Sequence, residues 1–379
     1  MMNKIVTLIL LLTLFLSDVI LNGMAFADST SKKGGTAKRV AMLISGHGNV
    51  DETLSYDLEE LVQSYLIFHR NQIDIDIVTP NGGPVPVKSN KDDVPYVSTF
   101  KKDTNALAML ANTLSAEQAS QRHYDALFIV GGDGAVFDLP FDQNTQKWIT
   151  TFAHGGKPIA AVCHGPAALV DVKMHDGSYF VANKLVNSFT FVEDHAFKKE
   201  NIEKYPLITQ TELEKRGARF VANRPMLPFV AIDENLITAQ NPTSVAKAAE
   251  TLLLAMGIQP VARQAYKDEA SMELIAKARN MGVSHIDFAM LHTPERYDMM
   301  YLALYGLYAF PLAETEQDKT IELQIMEKIG EYFKHPQYAT HMINTFLNAG
   351  DREKAKFHFE LAKQQFTDFS LPEAISNKL

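Results

Sequence analysis

Three short runs, Val40-Ala41-Met42-Leu43-Ile44, Ala126-Leu127-Phe128-Ile129-Val130 and Pro158-Ile159-Ala160-Ala161-Val162, are apolar without interruption, and each stops at small residues. Strands with no polar alternation are covered on both faces, as in a parallel sheet between two helix layers. Helical spacing fills the gaps: Leu58, Leu61, Val62, Tyr65 and Phe68 recur over 57–69, and similar patterns cover 106–114, 143–154 and 244–256. Further strand-like runs fall at 73–78, 185–189, 229–232 and 236–239. This alternation predicts a doubly wound α/β domain with a mostly parallel sheet over residues 39–260. From residue 261 strand signals vanish, and helices are predicted at 268–280, 295–309, 319–333, 338–347 and 352–366, an all-α C-terminal region. Its last pair, joined by Asn348-Ala349-Gly350-Asp351 with Ala355 and Ala362 at close-approach positions, is similar to one tetratricopeptide hairpin, without a second copy at a fixed period.

The N-terminus reads differently. Lys4, the apolar stretch 5–16 and Ala25-Phe26-Ala27 before Asp28 give the charged, apolar and small-x-small parts of a signal peptide over 1–27. Apolar residues resume at Val19, Ile20 and Leu21, but Ser17, Asp18 and Asn22 break the roughly 20-residue span that an anchor needs. The expectation is an exported protein, periplasmic or secreted, with a polar linker over 28–38 and no stable membrane span after cleavage. A net charge of −9 without a dense Lys/Arg block argues against nucleic acid as a partner.

Cys163 is the only cysteine, so no intrachain disulfide can form. It follows an apolar strand and precedes His164-Gly165-Pro166-Ala167-Ala168, the small residues needed by a nucleophile elbow, a sharp turn that lifts a side chain above the sheet. A helix starting there would favour thiolate over thiol and lower the pKa. The competing reading is a small buried hydrophobe.

Six stretches in order resemble the ThiJ/PfpI superfamily, of class I glutamine-amidotransferase-like and thus flavodoxin-like fold, and most closely its glyoxalase III and heat-shock chaperone branch. They are Leu58-Glu59-Glu60-Leu61, Thr79-Pro80-Asn81-Gly82-Gly83, Gly131-Gly132-Asp133-Gly134 with Asp138-Leu139-Pro140, Ala161-Val162-Cys163-His164-Gly165-Pro166, Ser188-Phe189-Thr190 and Leu236-Ile237-Thr238-Ala239-Gln240-Asn241-Pro242. The likeness spans residues 39–257. It implies Cys163 as nucleophile, Glu60 as the carboxylate facing it, His164 as the adjacent histidine and Asp194, or Glu193 beside it, as the acid orienting that histidine. Oxyanion donors would be the N–H of His164 and one from the Gly132-Asp133 turn. The implied activity turns methylglyoxal or a related α-oxoaldehyde into a 2-hydroxy acid with no metal or organic cofactor. Where the branch usually has Gly-Gly-His-Gly, this chain has Asp133, and a carboxylate beside a developing oxyanion is unfavourable unless paired or turned away. His47 could supply the missing imidazole; a solvated loop histidine is the plainer reading.

Three alternatives stay open. Glutamine hydrolysis wants a His-x-Glu pair downstream, and the match His358-Phe359-Glu360 lies in a helical pattern where positions i and i+2 diverge. Peptidase activity is compatible with a Cys-His pair. A chaperone or redox sensor would use Cys163 for oxidation instead of turnover. Beyond a small aldehyde, a second copy of the chain and a protein bound by the helical region are open partners.

Overall fold

The structure, a computed structural model, describes residues 37–87 and 91–379. The signal peptide at 1–27 and all but the last two residues of the linker at 28–38 lie outside the described residues. Ten strands are described: β1 (Arg39–Leu43), β2 (Asp74–Thr79), β3 (Asn81–Gly83), β4 (Thr113–Ser115), β5 (Ala126–Ile129), β6 (Ile159–Val162), β7 (Leu185–Val186), β8 (Arg219–Phe220), β9 (Val230–Asp233) and β10 (Leu236–Ala239). Eight share one sheet in the order β3-β4-β2-β1-β5-β6-β10-β9. All of its pairings are parallel except at the two edges, β3 and β9.

The unbroken apolar runs are explained by cover on both faces. Val40 and Met42 of β1 point into one core with Phe128, where helices Leu58–Arg70 and Val245–Ala255 bring Leu61, Phe68, Leu252 and Leu253. Ala41 and Leu43 point the other way, into a core with Leu127 and Ile159 under Trp148, Ile149 and Phe152 of helix Gln143–His154. Each fully buried large apolar side chain contributes roughly 1.5–3 kcal/mol, so the period-two pleat fixes register strongly. This is the flavodoxin-like, doubly wound sheet that the sequence predicts. Its connections run in opposite directions from β1 and β5, and the gap beyond the carboxyl ends there is where such sheets bind ligands.

Some details differ from the pattern. Over 185–189 only Leu185–Val186 is extended, and it pairs with β8 outside the main sheet. Asn187 turns the chain: its N–H donates to Thr238 Oγ1 at 2.8 Å and its amide to the Phe229 carbonyl at 3.2 Å. The helix predicted over 106–114 is Thr104–Ala111, and it stops before β4. Ser284–His292 is helical although its apolar residues do not share one face.

Beyond β10 and its following helix the described elements are helical: Lys267–Met281, Ser284–His292, Met299–Tyr308, Glu316–Tyr332, Pro336–Asn348, Arg352–Gln365 and the short Glu373–Ser376. Met272, Ile275, Leu302, Tyr305, Met326 and Phe346 form a third core, and Ala355 and Ala362 are buried where Arg352–Gln365 meets Pro336–Asn348. Residues 37–379 form one unit, with the α/β part and the helices locked together. Leu227 inserts into the helical core, Asp268 accepts from Gln63 (2.8 Å) and Tyr96 (3.1 Å), and Arg224 pairs with Asp318 at 2.7 Å. No helix among the described residues is long and apolar enough to cross a membrane.

Candidate active site

Cys163 follows the last residue of β6 with φ at +55°, in the left-handed region that non-glycine residues rarely adopt. Two hydrogen bonds hold it there, from its N–H to the Ala239 carbonyl (2.8 Å) and from the Phe189 N–H to its carbonyl (2.8 Å). The chain then reverses tightly: a Cβ on Gly165 would stand 2.7 Å from the Ile129 carbonyl oxygen. The helix expected after the cysteine is not formed. Gly165–Leu169 is instead a single 3-10 turn, too short to align peptide dipoles behind the sulfur.

Glu60 reaches the sulfur from the helix after β1. Asp57 caps that helix by accepting from the Glu60 N–H (3.0 Å), and the Asp57 N–H donates to the Gly131 carbonyl at 3.1 Å. Glu60 Oε2 in turn accepts from the Gly131 N–H at 2.9 Å, so the helix start is clamped to the turn after β5. Glu60 Oε1, by contrast, is buried without a hydrogen-bond partner among the described residues. A Cβ on Gly131 would lie 2.7 Å from Cys163 Cβ and 2.8 Å from Glu60 Oε2. Gly131→Ala is therefore expected to destabilise the protein by about 1–3 kcal/mol and to separate the thiol from the carboxyl. Urea denaturation measures the first effect; an unchanged midpoint contradicts the close packing.

Burial dominates the electrostatics. It raises the Glu60 carboxyl well above the ordinary carboxylate range, the neighbouring Asp57 adds to this, and Asp57 itself is pushed up to about 6 by burial. Burial also raises the Cys163 thiol, as does the Glu60 charge, while Lys198 and the Gly132 N–H pull the other way. The lowered thiol expected from a helix N-terminus is thus corrected: the sulfur sits in a desolvated, partly acidic surround. A protonated Glu60 removes its own repulsion and can donate to the sulfur.

The left-handed turn brings His164 back beside the residue preceding it. His164 Nδ1 is 3.5 Å from Cys163 Sγ, and Nε2 is 2.8 Å from Asp194 Oδ1, both side chains being fully buried. Phe189 and the edge of Tyr205 wall the imidazole, with ring centroids at 4.9 and 5.7 Å. Asp194 lies in the helix Phe191–Phe197, which Thr190 and Glu193 start as a capping box. Glu193 points elsewhere, accepting from the Met226 N–H (2.8 Å) and the Asn241 amide (3.1 Å), so of the two acids it is Asp194 that meets His164.

Asp133 is paired. Lys198 Nζ stands 2.6 Å from its Oδ1 and the Asn201 amide donates to Oδ2 at 3.3 Å. Burial opposes ionisation, yet Lys198 holds this carboxyl below its usual range. Sequence reasoning did not single out Lys198. The signal was present: a capping box at Thr190-Phe191-Val192-Glu193 starts a helix, which puts Asp194 and Lys198 one turn apart on the same side. His47 does not join the cluster by any described hydrogen bond of its ring, which stacks on Phe137 at 4.5 Å. His358 pairs with Glu327 at 2.9 Å inside the helical region.

A flavodoxin-like sheet with a left-handed cysteine at a central carboxyl edge and a buried carboxyl beside it defines an α/β protein of the cysteine-elbow type. The chain belongs to the DJ-1/PfpI family, whose model matches residues 38–255. It is 32% identical over 228 residues to a Schizosaccharomyces pombe protein named probable glutathione-independent glyoxalase hsp3103, covering 51% of this chain and 87% of that one. It is 27% identical over 207 residues to glyoxalase 3 of Candida albicans, covering 52% and 87% respectively. The structure also matches that of the Francisella tularensis rapid encystment protein of 24 kDa (TM-score 0.53, 28% identity, 58% of this chain and 99% of that one).

Proposed function

We propose that this protein is a glyoxalase III-like enzyme that converts methylglyoxal or a related α-oxoaldehyde to a 2-hydroxy acid without glutathione, metal or organic cofactor. The observation that carries this reading is the juxtaposition of Cys163 and the buried Glu60 carboxyl over Gly131, where a Cβ would lie 2.7 Å from Cys163 Cβ and 2.8 Å from Glu60 Oε2, with burial raising the proton affinity of that carboxyl. The names of the yeast relatives support it.

The residues can be given roles that balance. His164, oriented by Asp194, takes the thiol proton as Sγ adds to the aldehyde carbon, and Glu60 gives its proton to the carbonyl oxygen, forming a neutral hemithioacetal. The Gly132 and His164 N–H groups steady the charge that develops on that oxygen. Glu60, now a carboxylate, removes the proton from the former aldehyde carbon and, through an enediol, returns it to the neighbouring carbon, while the hemithioacetal hydroxyl proton passes to the neighbouring ketone oxygen. This leaves a Cys163 thioester of the 2-hydroxy acid. Water cleaves the thioester, His164 returns its proton to the departing sulfur, and Glu60 regains the proton that it gave. Export of the chain, read from residues 1–27, belongs to the same proposal.

The test is a side-by-side assay of methylglyoxal and glutamine with no glutathione present. The expected outcome is lactate from the first and no ammonia from the second; the converse result would replace this reading with hydrolysis.

A further inference from the structure

The ion pair at Asp133 is the feature by which this site departs most from the Gly-Gly-His-Gly pattern usual in the family, and both anchors of its lysine adjoin the reactive residue. Asp133 lies in the turn that begins at Gly131, where a Cβ would stand 2.7 Å from Cys163 Cβ. The Lys198 ammonium is 2.6 Å from Asp133 Oδ1 and 5.8 Å from the centroid of Phe189, whose N–H holds the Cys163 carbonyl. Its helix is the one that supplies Asp194. We propose that Lys198, locked by Asp133 over the reactive turn, is a positioning residue that activates Cys163 by facing the negative charge formed on sulfur, and that Asp133 limits this effect.

The groups facing the thiol give the sign. Glu60 and Asp57 come from the helix after β1, Lys198 from the cap of the helix Phe191–Phe197, and His164 from the elbow at 3.5 Å; behind these, Asp194 is 2.8 Å from His164 and Asp133 is 2.6 Å from Lys198. Acidic groups dominate, and Lys198 is the cation that favours the ionised form of both the sulfur and Glu60. Ionisation here only moves the thiol proton to His164; no electrons are exchanged. A cation within reach of a thiolate in a desolvated site commonly shifts its ionisation by one unit or more.

This inference rests on Cys163 as the nucleophile but not on the aldehyde as substrate, so the readout is alkylation and not turnover. Because Cys163 is the sole cysteine, intact mass after timed iodoacetamide treatment reports one site across a pH series. Lys198→Met is expected to slow alkylation at pH 7 about tenfold and move the profile up by about one pH unit, with Lys198→Arg restoring most of the rate. Asp133→Asn is expected to move the profile down, since the ammonium is then free to face the sulfur. Opposite shifts separate this role from a structural one, because either change breaks the same ion pair. Shifts in the same direction, or none, overturn the proposal. If Lys198→Met fails to fold, Asp133→Asn and Lys198→Arg decide: faster alkylation in the first with a near-normal profile in the second supports it, and any other pair of results overturns it.

Discussion

Glu60→Gln should leave a folded protein that has lost about 10²–10⁴-fold in aldehyde turnover, yet whose cysteine is easier to alkylate. The fold survives because a glutamine carbonyl can accept from the Gly131 N–H as Glu60 Oε2 does, at 2.9 Å. Turnover fails because an amide cannot carry a proton between two carbons. Above the pH at which Glu60 loses its proton, alkylation speeds up because the Glu60 charge, second to burial among the causes of the raised thiol, is absent from the neutral variant. The profile of alkylation rate against pH should therefore move to lower pH. The sign for stability comes from linkage. Glu60 has a raised pKa in the folded state, so its contribution is complete below the ordinary carboxylate value and is lost as pH rises through the folded one. Urea midpoints at pH 5 and pH 8 should show the variant gaining on the wild type at the higher pH. A variant with full turnover would remove Glu60 from the chemistry.

The second large effect concerns residues 261–379. Ending the chain at residue 260 exposes Leu227, strips Gln63 and Tyr96 of the Asp268 carboxylate and frees Arg224 from Asp318. Lost apolar burial together with orphaned polar groups costs about 3–6 kcal/mol, a Tm lower by about 10 °C or more for a unit of this size. The damage should reach the chemistry. Leu227 adjoins Met226, whose N–H holds Glu193 in the helix that presents Asp194. Helix Lys267–Met281 and helix Met299–Tyr308 also supply Met272 and Tyr301 to a cavity of about 140 Å³ shared with Phe189 and Glu193. Thermal denaturation and activity of the shortened chain measure both effects; a truncated protein with wild-type Tm and turnover would show the helices to be an independent appendage.

Much of the fold and part of the site are legible in the sequence. Val40–Ile44, Ala126–Val130 and Ile159–Val162 read as doubly covered strands because nothing polar interrupts them, and the loops leaving their carboxyl ends have to meet. That places Cys163 near Gly132 and the helix bearing Glu60. Long-range pairing is harder to see. Asp194 stands in the acidic run Glu193-Asp194-His195, a pattern typical of a solvated face, and its burial depends on a capping box that aims the helix inward. The helix predicted after Cys163 fails because the turn is taken up by tight approach to Ile129 and not by continued helical hydrogen bonding. Asp133 reads as a defect until Lys198, brought in by a distant helix, supplies its counter-charge.

Everything turns on whether one sulfur does the chemistry. The direct measurement is the rate of lactate formation from methylglyoxal by wild type and by Cys163→Ala, with circular dichroism to show that both are folded. The expected result is turnover by the wild type and only the uncatalysed background from the variant. Equal rates in the two proteins would contradict the account, since no other thiol exists in the chain to take the place of Cys163.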